Sequence, residues 1–432
     1  ASPRSLSMLA SSGGLILGKI ANLGLGFVFW VIAARLFPPG EVGLAAGAVA
    51  AMMLCVQLGL LGVGAAFIST FPAWRARPAR LLDSAVTMVG AGALVAGGLF
   101  LALARGVFEE LAVVAADARF AGLFLAMAVL GTVGVLLDHI SMALRRGDQV
   151  LARNVSSTAV TVLLIGLLAL LTPGAGAVGL FSLFVAGGVV TCGLGASQLW
   201  RSAGRYRYRP RLEGPIARGL LCVGFPNHAL SLVERVPGLV LPIVVTELVS
   251  PEANAHWYAA WMMAWVAYII PISIGTGVFA EVAHRPRALA AAVRSGLRSS
   301  LVLGLAAAGG LAVMGELVLS ILGPGYATGG AAPLRILVVA LVPFAFIQAY
   351  FAVCRATGRL AEALVTGGVS ALAGIGGSAL VAPALDLSGM AAVWVGVQVV
   401  TGCWSAWRVR RILAAPGLPG ERAFRVRPGG DP

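Results

Sequence analysis

Charge is scarce in this chain of 432 residues: only 11% are Asp, Glu, Lys or Arg, and histidines number four. A soluble domain carries about 25% charged residues, so a water-soluble enzyme is excluded at once. Lysine is almost missing; Lys19 is the only one, and arginine supplies the rest of the 31 basic residues. The five cysteines, at 55, 192, 222, 354 and 403, stand apart from one another. None has metal or redox spacing, which leaves a disulfide scaffold, a zinc site and a thioredoxin-type motif without support. Long polar segments are lacking too. The longest, near 201–217 and after 409, run to about twenty residues, too few to bury a core. No nucleotide-binding domain, glycosyltransferase domain or GxxxxGK[ST] phosphate loop is expected. The energy source is then an ion gradient, the membrane potential or downstream consumption of a product.

What the chain has in quantity is apolar length. Hydrophobic residues make up 59%, and the 57 Gly and 22 Pro sit inside the apolar runs. Crossing ~30 Å of hydrocarbon takes ~20 residues. Twelve stretches qualify: 9–34, 43–70, 83–104, 120–144, 151–172, 175–200, 218–249, 255–282, 296–322, 333–354, 360–382 and 388–408. They far exceed the ~10-residue alternating strands of a barrel, so helices are expected. With the N-terminus cytoplasmic, twenty-five of the 31 basic residues fall in cytoplasmic segments, among them Arg75, Arg77, Arg80, Arg153, Arg205 to Arg218, Arg355, Arg359 and those after Arg408. Four (Arg35, Arg105, Arg119 and Arg335) fall opposite, and Lys19 and Arg235 lie within spans. The asymmetry follows the positive-inside rule and puts both termini in the cytoplasm. The net charge of +14 is thereby a topology signal, and no nucleic-acid partner is expected.

A repeat divides the chain. The segment 34–53, ARLFPPGEVGLAAGAVAAMM, is matched by 246–265, TELVSPEANAHWYAAWMMAW, at an offset near 214. Each reads as a long helix, a short turn bearing Pro and Glu, then a new helix. The expected architecture is an all-α polytopic membrane protein with about twelve transmembrane helices in two pseudo-symmetric six-helix lobes around a central cavity. The expected divisions are an N-terminal lobe (1–200), an Arg-rich cytoplasmic linker (201–217), a C-terminal lobe (218–411) and a cytoplasmic tail (412–432). Gly43-xxx-Gly47 and GLLGVG (59–64) read as close helix packing.

An ionisable group inside a span costs roughly 2.5–3.5 kcal/mol on insertion scales, so each one is a functional candidate. Lys19 sits midway along the first span, with Asn22 one turn further on the same face. Glu234 and Arg235 fall in the seventh, which is expected to be interrupted by Pro226, Pro237 and Pro242. Adjacent residues point ~100° apart on a helix, so the two serve different contacts. The plainer alternative is a structural pair, Glu234 with Lys19 or with Arg235. His228 is a further candidate. Asp138 and His139 are weaker, and a bond from Asp138 to headgroups or to Arg145 accounts for them. Gln57, Gln348 and Gln398 are amides of the kind that bond between helices.

These features together resemble the polysaccharide and lipid-linked oligosaccharide flippases of the multidrug/oligosaccharidyl-lipid/polysaccharide exporter superfamily. The resemblance rests on a mid-helix cation followed by FVFWVIAARLFPPGEVGLAAGAVA (27–50), on Gly59–Gly64, on FPNHALSLVERVPGLVLP (225–242) with its acidic-Arg pair, and on WYAAWMM (257–263). The family often has fourteen spans; twelve is typical of its drug-exporter branch. The resemblance implies alternating access and a polyprenyl-pyrophosphate-linked glycan moved across a bacterial cytoplasmic membrane, without catalysis, cofactor or metal, with membrane lipids and glycan assembly enzymes as the expected partners. It implies that Lys19 and Arg235 meet the anionic head, with Glu234 tuning Arg235. Alternatives are a cation-coupled multidrug exporter, a membrane enzyme of glycan assembly, and a non-transporting scaffold.

Overall fold

In lipid no water is at hand for peptide groups, so each apolar stretch closes its N–H and C=O groups within a helix. The computed structural model describes residues 24–74, 77–172, 174–202 and 206–414, and every regular element among them is helical. In chain order these are α1 (Gly24–Leu36), α2 (Pro39–Gly59), α3 (Val63–Thr70), α4 (Pro78–Val107), α5 (Ala112–Ala116), α6 (Ala118–Ala143), α7 (Gly147–Leu171) and α8 (Gly176–Ser202). There follow α9 (Gly214–Leu248), α10 (Pro251–His284), α11 (Leu289–Leu322), α12 (Pro324–Leu337), α13 (Leu341–Ala356) and α14 (Leu360–Ala414).

Ten long apolar segments are present among the described residues, counting α2 with α3 and α12 with α13. Helix α14 has 55 residues. Straight, it would extend ~80 Å at ~1.5 Å per residue, more than twice the hydrocarbon thickness. It is broken instead at Asp386 (φ 52°, ψ −164°), three residues after Pro383. The two halves, 360–385 and 387–414, together with the described end of the first span in α1, bring the count to the expected twelve.

Proline sets several starts. Pro39, Pro78 and Pro324 occupy the first turns of α2, α4 and α12, where the missing N–H would have no helical partner anyway. Helices α2 and α10 both open on Pro with Glu in the first turn, Glu41 and Glu252, as the repeat leads one to expect. The expected interruption of the seventh span is absent. Helix α9 runs unbroken through Pro226, Pro237 and Pro242, since a proline's freed carbonyl is tolerated where neighbours or a local adjustment satisfy it.

The chain divides into two compact units: the described residues to Leu232 with Pro242–Ala255, and Val233–Leu241 with the described residues from His256 onward. In the first, α2 is the enclosed helix, and Val63, Phe67, Leu81, Met88, Leu136, Ile140 and Leu220 form a buried cluster. Gly43 sits directly on Pro251; a Cβ there would lie 1.6 Å from the Pro251 carbonyl oxygen. Asn254 Nδ2 donates to the Gly43 carbonyl at 2.8 Å across the same contact. Gly62 (φ +82°) lets the chain turn between α2 and α3 while touching Gly224. In the second unit α12 and α13 are the enclosed segment. Apolar side chains of α7 (Leu163, Leu170, Leu171) and α11 (Val302, Val313, Leu317) are exposed, a surface suited to lipid.

Candidate functional site

Within the second unit a cavity of about 490 Å³, its opening included, is built from faces of four helices. Helix α13 contributes Phe344, Ile347, Gln348 and Phe351, at the i, i+3, i+4, i+7 spacing of one helical face. The 233–241 stretch of α9 contributes Glu234 and Pro237, and α10 contributes Trp261 and Trp265, one turn apart. The two halves of α14 supply Ser370 from one side of the kink and Trp394, Gln398 and Thr401 from the other. The indoles are held by their neighbours: Trp261 meets Trp394 edge-on at 5.1 Å, and Tyr268 lies 5.7 Å from Trp394 and 5.2 Å from Phe344.

The polar groups are few and definite. Arg355 Nη2 lies 3.3 Å from Glu234 Oε2, and both side chains are largely buried. Arg355 ends α13 and was expected in a loop; folding turns it inward to Glu234 instead. Thr401 Oγ1 donates to Ser370 Oγ at 3.0 Å, and Gln398 Nε2 donates to the same oxygen at 3.5 Å. Three buried cavity-lining atoms have no hydrogen-bond partner among the described residues: Glu234 Oε1, Gln348 Nε2 and Trp394 Nε1. An unmet buried polar atom of this kind costs about 1–3 kcal/mol. Beside the cavity, Glu362 is bound by Arg408 and also accepts from Tyr350 at 3.1 Å.

No protein family matches the chain by sequence, and no curated protein does. Solved structures do match by shape. An inward-facing multidrug resistance MATE family transporter of the MOP superfamily superposes with a TM-score of 0.68 at 17% identity, over 90% of this chain and 94% of its own. An outward-facing MATE family transporter of that superfamily gives 0.64 at 17%, over 94% and 95%. A MOP superfamily transporter from Pyrococcus furiosus, described by the reversed polarity of its binding pocket, gives 0.63 at 18%, over 94% and 95%. The fold is that of MATE transporters. The matched proteins are transporters, and at these identities the likeness is one of fold.

The residues singled out by sequence are distributed over this MATE-type fold as follows. Glu234 lines the cavity, and among the described residues its ion-pair partner is Arg355 rather than Arg235. Arg235, one position on, is exposed and does not line it. Lys19 and Asn22 lie outside the described residues. In the first unit, His228 Nε2 donates to the Gln57 carbonyl at 2.9 Å, which joins α9 to α2 and makes the Gln57 contribution a backbone one. Asp138 pairs with Arg153 at 2.8 Å, not with Arg145. Arg153, expected at the membrane surface, is 1% exposed and also donates to Ser141 at 3.1 Å and to Gln198. His139 bonds the Val135 carbonyl of its own helix at 2.8 Å.

Sequence reasoning missed Arg355 and the aromatic wall. A signal for the wall was present, since Trp394, Gln398 and Thr401 share one helical face, as do Phe344, Gln348 and Phe351. The choice of Arg355 as Glu234's counterion had no signal, because 121 positions separate the two.

Proposed function

We propose that this protein is a membrane transporter working by alternating access, and that it moves an anionic, lipid-linked oligosaccharide, a polyprenyl-pyrophosphate glycan, from the cytoplasmic to the outer leaflet of a bacterial cytoplasmic membrane. The observation that carries the transport reading is the MATE-type fold, matched over nine-tenths or more of the chain by both inward-facing and outward-facing transporters. For the substrate, support comes from the charge of the cavity. Its carboxylate, Glu234, is already engaged by Arg355, so no free anion remains there for a cationic drug. Lys19 and Arg235 are the span cations proposed to meet the pyrophosphate, whose charge cannot enter hydrocarbon without such partners.

The test is mass spectrometry of lipids co-purifying with wild-type protein and with Lys19→Ala/Arg235→Ala. A polyprenyl-pyrophosphate glycan held by the wild type and lost from the variant is the expected result. Equal lipid content, with no such glycan in either, removes the flippase reading. A second reading, a cation-coupled multidrug exporter, is favoured by the family of the matched structures. It requires cationic drugs to be exported by cells carrying this protein.

A further inference from the structure

We propose that the last turns of α14 carry a binding site for an anionic phospholipid, held as a resident lipid. The inference stands apart from the glycan reading above, since this lipid is not the transported molecule. Val400, Trp404, Trp407 and Arg411 recur at i, i+4, i+7 and i+11, which sets them in one stripe along the helix. Trp394, Gln398 and Thr401 of the same helix turn toward the cavity of the second unit. The stripe lies on another side, where Val400, Trp404 and Trp407 are 72%, 46% and 42% exposed. Arg410 and Arg411 are exposed as well. From Val400 to Arg411 the helix rises ~16 Å, about half of the ~30 Å of hydrocarbon. Over that length the stripe passes from aliphatic to indole to guanidinium. A phospholipid passes from acyl chain to ester to phosphate in the same order.

The polar end of the stripe is held in place. Trp404 and Trp407 lie against each other with ring centroids 4.9 Å apart. The Arg411 guanidinium sits over the Trp407 ring, 4.4 Å from its centroid. The ring takes the face of the guanidinium and fixes its plane, which leaves the N–H edge for an oxygen acceptor. Arg408 is bound to Glu362, whereas neither Arg410 nor Arg411 has an ion-pair partner among the described residues. Two such cations beside exposed indoles match a phosphate at the depth where tryptophan collects in membranes. Other occupants fit less well. A soluble acidic protein would meet the arginines but not Val400 and Trp404, which lie within the apolar stretch 388–408. A second copy packed stripe to stripe about a twofold axis would set the arginines of the two copies against each other.

Detergent-purified full-length protein, washed free of lipid, is titrated with phosphatidylglycerol and with phosphatidylcholine of the same acyl chains. Bound lipids are counted by native mass spectrometry. The first equivalent of phosphatidylglycerol is expected to bind about tenfold more tightly than phosphatidylcholine. Arg410→Gln/Arg411→Gln should lose that preference, and Trp407→Leu should weaken it, because the guanidinium is no longer held. Arg207→Gln/Arg209→Gln removes the same charge from two other exposed arginines and should keep the preference. Monodisperse elution and an unchanged melting temperature identify the variants that have folded. The proposal is overturned if wild type does not distinguish the two lipids, which leaves the arginines to an acidic protein partner. It is overturned equally if folded Arg410→Gln/Arg411→Gln keeps the preference, or if Arg207→Gln/Arg209→Gln loses as much, since net charge then suffices. Displacement of phosphatidylglycerol by excess inorganic phosphate would show an anion site with no call for a lipid, and also overturns it.

Discussion

A carboxylate inside a membrane span is costly by itself, and here each of two such groups is answered by an arginine from another helix: Glu234 by Arg355, far along the chain, and Asp138 by Arg153 of the next helix. Breaking a buried pair on one side leaves a lone buried charge, at a cost of about 3–5 kcal/mol. Arg355→Met is therefore expected to lower the melting temperature of the purified protein sharply, and Glu234→Gln/Arg355→Met to recover most of the loss. If Arg355→Met melts like wild type, Arg355 is not the group that holds Glu234. Arg153→Met is expected to be at least as damaging, since it also abandons Ser141 and Gln198. That Glu234 and Asp138 are unusual was legible from their place in apolar runs. Their partners were not, because Arg153 and Arg355 lie at helix ends where a sequence reading sees only membrane-surface charge.

Helix packing in lipid depends on close backbone approach more than on apolar bulk. The contact of Gly43 with Pro251 is the clearest instance, and two positions three residues apart on α2 give a matched test. Gly43→Leu is expected to abolish the monodisperse peak in size-exclusion chromatography, whereas Gly40→Leu, with open space around its Cβ direction, leaves it intact. Similar behaviour of the two would mean that α2 does not pack on the start of α10. The segment before α9 shows another kind of tie. Residues 206–213 are extended along the start of α4, where Tyr206 donates to Asp83 at 2.6 Å and Glu213 binds Arg80. The hydrogen bond from the Arg80 guanidinium, with help from Arg211, holds the Glu213 carboxyl below its usual range near 4.5. A lowered carboxyl value stabilises at pH above the unfolded value and loses that contribution as pH falls through the folded one. Proteolysis at 206–213 should accordingly quicken as the pH falls below the usual carboxylate range, and the acceleration should be smaller in Glu213→Gln.

For the molecule as a whole, the expected topology puts the arginine-rich loops on one side of the membrane. In a variant lacking the five native cysteines, Glu110→Cys should react with a membrane-impermeant maleimide on intact cells. Tyr208→Cys should react only after permeabilisation. Labelling of both from the same side would contradict an all-crossing arrangement between these loops. Twelve helices and their order were readable in advance because each span satisfies its own peptide groups, a local property that hydropathy records. Even the break in the last long helix was expected, as the gap between two spans, although its geometry at Asp386 was not.

The sequence by itself determined that this is a polytopic helical membrane protein with a twofold repeat, since apolar length, proline-led helix starts and small-residue contacts act over a few turns of chain. Tertiary structure alone decided which charges meet, that α9 passes unbroken through three prolines, and that 233–241 of that helix packs with the second unit while its flanks pack with the first. It also decided that three tryptophans and two glutamines close around one space. The physical reason is the same in each case. Burial and pairing depend on neighbours brought together from far along the chain, and in lipid the strength of an ion pair or an unmet hydrogen bond is set by those neighbours rather than by the residue itself.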